Sequence, residues 1–271
     1  MLQKTTGPAV AARFFGDFSV HVGGRPVERW RAGKARSLFQ YLLVNRGRVV
    51  PRDKLYQVLW PTQEWSPTGS SLKVAMHGVR QVLQSLPPDS AHPAVEIVNR
   101  DHGYLLKAHD VWLDLDDFSS AIDTARAAEV AGDHPNAHRH YTRAVELYCG
   151  DFLAVESADW IDEQRACSKA LVLQALNYLR ADALRRGDHL AAVRLCQQLL
   201  AVDPYQEELY QTLMLVHGKQ GQLGQVRLWY DICLRRLHDE LDVEPTDTTY
   251  RIFARAVRGE LRDRARLNLV A

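Results

Sequence analysis

The sequence predicts a mostly α fold with a small β component: an N-terminal sheet, three helices and a β-hairpin, followed by an all-α run of helical repeats. Three observations carry this reading. Apolar residues alternate near the front of the chain and again around residue 100. Elsewhere they recur at three and four residues, the period of a buried helical face. In the second half, two turn glycines stand 34 residues apart.

The elements follow in order. In "FFGDFSVHVGGRPVE", Phe18, Val20 and Val22 alternate with Ser19 and His21, and Gly23-Gly24 marks a tight turn. No GxGxxG or GK[ST] pattern follows the glycine pair, so a hairpin turn is expected there and not a phosphate loop. "GKARSLFQYLLVNRG" places Leu38, Tyr41 and Leu42 on one helical face, with Gly47 as the stop. "PRDKLYQVLWP" is a shorter helix, with Pro51 suited to its first turn, Pro61 ending it, and Leu55, Val58 and Leu59 as its buried stripe. After the polar loop "TQEWSPTG", "SSLKVAMHGVRQVLQ" makes a third helix. "AVEIVNRDHGYLLKAH" then reads as two strands, about 95–98 and 104–107, joined by "NRDHG". Three helices capped by a hairpin make a winged helix-turn-helix, here preceded by an N-terminal sheet.

From Asp114 the pattern becomes almost continuously amphipathic helix. "AGDHPNAHRHYTRAVELY", "RGDHLAAVRLCQQLLAVDP" and "QGQLGQVRLWYDICLRRL" resemble one another. The spacing of Gly187 and Gly221 is that of a tetratricopeptide unit. Gly132 stands 55 residues before Gly187, so the first unit carries an extra stretch that includes "DFLAVESADW". We therefore expect a winged-helix domain over residues 1–112 and tetratricopeptide-like helices over 113–271. Stacked repeats of this kind leave a groove for a partner.

Composition narrows the function. No run of about 18 uncharged apolar residues occurs, and the start lacks a long apolar stretch. A cytoplasmic address with no membrane partner is the expectation. Cys149, Cys167, Cys196 and Cys233 form no CxxC pair and are expected to be buried free thiols. Residues 1–113 hold 15 basic against 8 acidic side chains, whereas 114–271 hold 19 against 25. A basic front end favours a polyanionic partner.

The third helix concentrates that preference. At about 100° per residue, its apolar positions 72, 75, 76, 79, 82, 83 and 86 share one face. Ser70, Lys73, His77, Arg80, Gln81 and Gln84 share the other, with Val74 beside them. Burial of the first set presents the second set outward, and it contains no acid. These side chains suit base edges in a major groove, which admits one helix. Lys73 suits guanine acceptors or phosphate, Gln81 adenine, and Val74 a thymine methyl. An ordinary solvated face is the alternative. Arg100 and His102 at the hairpin tip would put cations against a minor groove. Lys34, Arg36, Arg46, Arg48 and Arg52 surround the first two helices; with Arg80, Lys34, Arg36 and Arg52 are the expected contacts to the DNA backbone. Gly78 inside the third helix costs about 1 kcal/mol relative to Ala.

"GKARSLFQYLL", "RDKLYQVLWP", "SSLKVAMHGVRQVL" and "GYLL", followed by "DLDDF" and helical repeats, resemble the SARP-type antibiotic regulatory proteins of actinobacteria. These join an OmpR-type winged helix to a bacterial transcriptional activation domain. The resemblance runs from about residue 14 to 260. It implies an activator that binds direct repeats in double-stranded DNA near a promoter and recruits RNA polymerase, including its sigma factor. A homodimer on DNA and control of a secondary-metabolite or other pathway gene cluster are among the expectations. The resemblance maps the recognition helix onto residues 70–86 and the wing onto 99–103. It maps a polymerase-facing loop onto 61–69, with Glu64 and Trp65 as the candidate contacts and a core anchor as the alternative for Trp65. It also implies no ATP control, because the ATPase and sensor regions of larger members have no counterpart here.

Two other readings compete. His134, His138 and His140 form an HxxxHxH cluster, but no HExxH accompanies it, and neither GxSxG, a Walker loop nor a Rossmann fingerprint occurs. No enzyme, metal or cofactor is expected. The other competitor is a tetratricopeptide-type interaction scaffold with a degenerate winged helix.

Overall fold

A computed structural model describes residues 7–30, 33–62, 70–84 and 94–262. The chain forms two compact units: Met1–Ala121 with Glu146–Ser168, and Ile122–Val145 with Lys169–Ala271. Among the described residues there are seven strands, ten α-helices and one π-helical turn.

The first unit begins with strands β1 (Val10–Arg13), β2 (Ser19–Val22) and β3 (Arg25–Pro26). Val20 and Val22 are buried and their neighbours Ser19 and His21 exposed, as the alternation predicts. Gly23 and Gly24 take φ of 57° and 75° between β2 and β3. Such left-handed angles are open to glycine without a Cβ penalty and match the twist of a tight hairpin. Helix α1 (Ala35–Val44), strand β4 (Val49–Pro51), helix α2 (Arg52–Leu59) and helix α3 (Ser71–Leu83) follow. Strands β5 (Val95–Arg100) and β6 (Gly103–Ala108) form the hairpin, and β7 (Val111–Leu113) leads into helix α4 (Asp114–Val130). One sheet runs β3-β2-β1-β7 and the other β4-β6-β5.

Three strands escaped the sequence reading: β1, whose "VAAR" precedes the alternating stretch, and also β4 and β7. β4 and β7 have three residues each, too few to show alternation, and both form by pairing with distant chain. β4 lies antiparallel to β6, and β7 parallel to β1. The carboxylate of Asp114 ties the β1–β7 edge together, accepting from the backbone N–H groups of Phe14 at 2.9 Å and Phe15 at 3.0 Å. Asp114 is 3% exposed. Burial pushes its carboxyl above the ordinary value, against the lowering pull of these same N–H groups.

The core of this unit joins Leu38, Phe39, Leu42 and Leu43 of α1, Leu55 and Leu59 of α2, and Leu72, Met76 and Val79 of α3 to Val95, Ile97 and Leu106 of the hairpin. Phe152, Leu153 and Ile161 belong to the same core. The extra stretch "DFLAVESADW" thus has its place here. Phe152 bridges to Phe15 as a fragment of antiparallel strand, and the Leu153 N–H donates to the Phe14 carbonyl at 2.8 Å. The ring of Phe152 stacks on Phe14 at 5.5 Å, and Trp160 meets both Phe152 and Tyr41 edge-on. Leu153 pays for its place with φ of 47°, a left-handed angle costing a side-chain-bearing residue about 1–2 kcal/mol. Arg165 offsets this strain by donating to the carbonyls of Phe152, Leu153 and Glu156 at 2.9–3.2 Å.

The second unit is built of helical hairpins, although residues 114–121 and 159–168, which begin two of their helices, fall in the first unit. α4 turns into α5 (His134–Leu147), α6 (Asp159–Arg185) into α7 (His189–Val202), and α8 (Glu207–Lys219) into α9 (Leu223–Leu234). The glycine at each turn, Gly132, Gly187 and Gly221, has φ between 70° and 73°. The next N–H reaches back five residues: Asp133 to Ala128, Asp188 to Ala183, and Gln222 to His217. This is the Schellman closure that left-handed glycine permits. Asp188 then caps α7 by accepting from the Ala191 N–H at 3.0 Å. A π-helical turn, Arg235–Asp239, extends α9, and α10 (Asp247–Val257) completes the unit.

The cysteine expectation holds for only half the thiols. Cys196 and Cys233 are buried, while Cys149 and Cys167 are exposed. Burial raises the Cys196 thiol to about 11 and the Cys233 thiol to about 12. A thiol reagent applied to the native chain at neutral pH should therefore label Cys149 and Cys167 well before the other two, as read by mass spectrometry of peptides. Asp114→Ala should leave two buried N–H groups without an acceptor and lower stability by about 2–4 kcal/mol, measured by urea unfolding.

Candidate nucleic-acid interface

Helix α3 is divided by burial as its sequence pattern demands. Leu72, Ala75, Met76, Gly78 and Val79 are buried. Ser70, Lys73, Val74, His77, Arg80 and Gln84 are exposed, and Gln81 is half-buried. Val74 is 57% exposed, an apolar side chain left in water among polar ones. Ser70 sits at the N-cap but makes no side-chain cap hydrogen bond, so its hydroxyl remains uncommitted. At about 1.5 Å rise per residue, Lys73 to Gln81 spans ~12 Å. That covers roughly three base-pair steps of ~3.4 Å. Gly78 lies on the packed side of the helix. Leu86 falls outside the described residues, as do Glu64 and Trp65.

The hairpin tip carries Arg100 and His102, both exposed. Its position depends on Gly103, which pairs with Pro51 across the β4–β6 ladder. A Cβ on Gly103 would stand 2.1 Å from the Val50 carbonyl oxygen, so no larger residue fits without moving the backbone.

The basic residues around α1 and α2 separate into two groups. Lys34 and Arg48 are exposed. Three others are engaged within the fold. Arg36 pairs with Glu156 at 3.2 Å and lies over the Phe18 ring. Glu156 also accepts from Gln40 Nε2 at 2.7 Å, and Gln40 is fully buried. Arg46 pairs with Asp116 and donates to the Leu43 carbonyl. Arg52 reaches the hairpin tip, donating to the Asp101 carbonyl and Asn99 Oδ1 at 3.0 Å each. Sequence reasoning missed Glu156 and Asn99 as partners. They lie 120 and 47 residues from the arginines they engage, and no local pattern reports such a pairing.

A cleft of about 410 Å³ beside α1 and α2 is lined in part by Lys34 and Lys54, and by Glu156, Asp159 and Glu163. Three acids against two lysines leave the cleft lining without a net positive charge. In the second unit, His134 lies 3.3 Å from the Tyr178 hydroxyl and His138 lies 3.0 Å from Asp182. Asp182 also receives Arg185 and Arg186. His140 is 3.4 Å from Arg139. The three imidazoles thus answer to three different groups. Among the described residues no three His, Cys, Asp or Glu side chains are grouped to hold a metal, and no helix is long and apolar enough to cross a membrane.

Three helices, a hairpin pinned to the start of the second helix, and an outward acid-free third helix define a winged-helix regulator joined to helical repeats. Comparison with known proteins agrees. The family model described as "Bacterial transcriptional activator domain" matches residues 113–257, and that described as "Transcriptional regulatory protein, C terminal" matches residues 30–106. The chain belongs to the bacterial transcriptional activator domain family, and within it to the SARP-type transcriptional activators. Regulatory protein AfsR of Streptomyces coelicolor is 29% identical over 81% of this chain and 22% of its own length. Regulatory protein DnrI of Streptomyces peucetius is 26% identical over 79% of this chain and 80% of its own. The chain spans about a quarter of the length of the AfsR proteins it matches. Among solved structures, Mycobacterium tuberculosis EmbR in complex with a low-affinity phosphopeptide superposes with a TM-score of 0.64 at 23% identity. It covers 93% of this chain and 65% of its own, and shows the same fold.

Glu156→Ala should strand the buried Gln40 amide and free Arg36, lowering stability by about 1–3 kcal/mol. The shift in the urea midpoint measures it.

Proposed function

We propose that this protein is a sequence-specific DNA-binding activator that occupies direct repeats near a promoter and recruits RNA polymerase, and that it is not an enzyme. In this reading residues 1–112 hold the DNA-binding function and 113–271 the activating one. The observation that carries it is the outward face of α3. Burial of one side of the helix leaves Ser70, Lys73, Val74 and His77 exposed together, with the half-buried Gln81 beside them and no acid among them.

On this reading Lys73, His77 and Gln81 meet base edges, with Val74 placed for a thymine methyl. Lys34 and Arg80 meet phosphates, which set register without reading sequence. Arg100, with His102, enters the adjacent minor groove. Arg36 and Arg52, drawn into contacts within the fold, serve the DNA by holding the elements that touch it. The polymerase contact falls to Glu64 and Trp65 and to the acidic helical half, with sigma factor among the subunits met. A homodimer on the direct repeat and a pathway gene cluster as the regulated target complete the proposal, and a cytoplasmic address follows from it. Support for these finer statements comes from the family membership and from relatives whose names describe regulatory proteins.

The test is binding of the chain to a duplex it selects from a random pool. Counterion release predicts affinity that falls steeply with salt. Lys73→Ala should weaken binding by about 1–3 kcal/mol if the ammonium pairs with guanine, measured by fluorescence anisotropy. Failure to select any duplex, with no salt-dependent binding, would leave an interaction scaffold with a degenerate winged helix.

A further inference from the structure

One side chain controls the hairpin tip. The guanidinium of Arg52, the first residue of α2, donates through Nη1 to the Asp101 carbonyl at 3.0 Å. Through Nη2 it donates to Asn99 Oδ1 at 3.0 Å and to the Arg100 carbonyl at 3.4 Å. Its own backbone N–H donates to the His102 carbonyl at 3.0 Å. Residues 99 to 102 are thus each held by residue 52. The Arg52 Cζ lies 5.6 Å from the centre of the Tyr104 ring, so the far side of the hairpin start also contacts it. Pro51 pairs with Gly103, where the strands approach too closely for any Cβ.

The chemistry of this contact is specific to arginine. Three acceptors lie around one planar fork, an arrangement that five fixed N–H donors satisfy and a single ammonium does not. Two of the acceptors are main-chain carbonyls, so what is fixed is the path of the backbone at the tip. The Arg100 and His102 side chains are left outward. A hairpin tip bound only by its own strands frays. This one is clamped to the helix that precedes α3.

We infer that Arg52 is a positioning residue: it does not contact phosphate but fixes the tip of the wing, so that Arg100 is presented to the minor groove at a set distance from α3. The inference rests on the DNA-binding reading above and deepens it. It places part of sequence discrimination in a residue that never touches DNA.

The experiment uses the full chain and a duplex that the wild-type chain selects from a random pool. Arg52→Ala, Arg100→Ala and the double variant are compared by anisotropy and by footprinting. Each single change should weaken binding roughly tenfold, and the double variant should be no weaker than Arg100→Ala alone. Arg52→Lys should behave as Arg52→Ala, although it keeps the charge. Hydroxyl-radical protection of the minor groove should be lost in Arg52→Ala while guanine protection in the major groove persists. A double variant weaker by the product of the two factors, together with near-normal binding by Arg52→Lys, would assign Arg52 to phosphate and overturn the inference while leaving the DNA-binding reading intact. Should Arg52→Ala fail to fold, Asn99→Ala, which removes one acceptor, takes its place and must likewise show no added loss beside Arg100→Ala. A wild-type chain that selects no duplex sinks both the inference and the reading beneath it.

Discussion

The structure depends first on one packing event: the apolar side of α3 settling onto the core of the first unit. Leu72, Ala75, Met76 and Val79 occupy consecutive turns of one helical face. Each of the larger three removes apolar surface from water at roughly 25 cal/mol per Å². Nothing polar on that side competes for the position. The helix therefore has one stable rotation about its axis, and that rotation determines which side chains remain outside. Lys73, Val74 and His77 are exposed because of where their neighbours are buried. The identity of the outward face is a product of the core.

The second constraint is long-range. The first unit is closed by side chains and backbone that the sequence separates widely. Asp114 holds the N–H groups of Phe14 and Phe15, Glu156 holds Arg36 and Gln40, and Phe152 fills the space between Phe14 and Trp160. Apart from the local Phe152–Trp160 pair, each contact joins groups about a hundred or more residues apart in the sequence. Buried polar groups must find partners somewhere, and here they are found across a boundary that composition alone would draw elsewhere.

This separates what was legible in the sequence from what was not. Periodicity disclosed α1, α2, α3 and the hairpin, because each is defined by its own local pattern of burial. The repeat glycines disclosed the turns at 132, 187 and 221, because a left-handed residue is required at each. Periodicity was silent on β4 and β7, whose three residues become strands only when a distant partner supplies the ladder. It was equally silent on the contacts that Arg36 and Arg52 make within the fold. A basic residue near a helix start looks the same whether it awaits a phosphate or already grips a carbonyl. Composition also misjudged Cys149 and Cys167. Both lie within the segment 146–168 of the first unit, and both are exposed there.

That borrowed segment has a consequence for how the molecule is made. A nascent chain that has emerged only as far as the hairpin has no Phe152 to lay against Phe14, no Glu156 to quiet the buried Gln40, and no Trp160 beside Tyr41. Its first core stays unfinished until the ribosome has written well into the helical half. Closure of the first unit thereby waits on synthesis of residues that lie beyond helix α5, and a chain stopped short of them holds only part of that core.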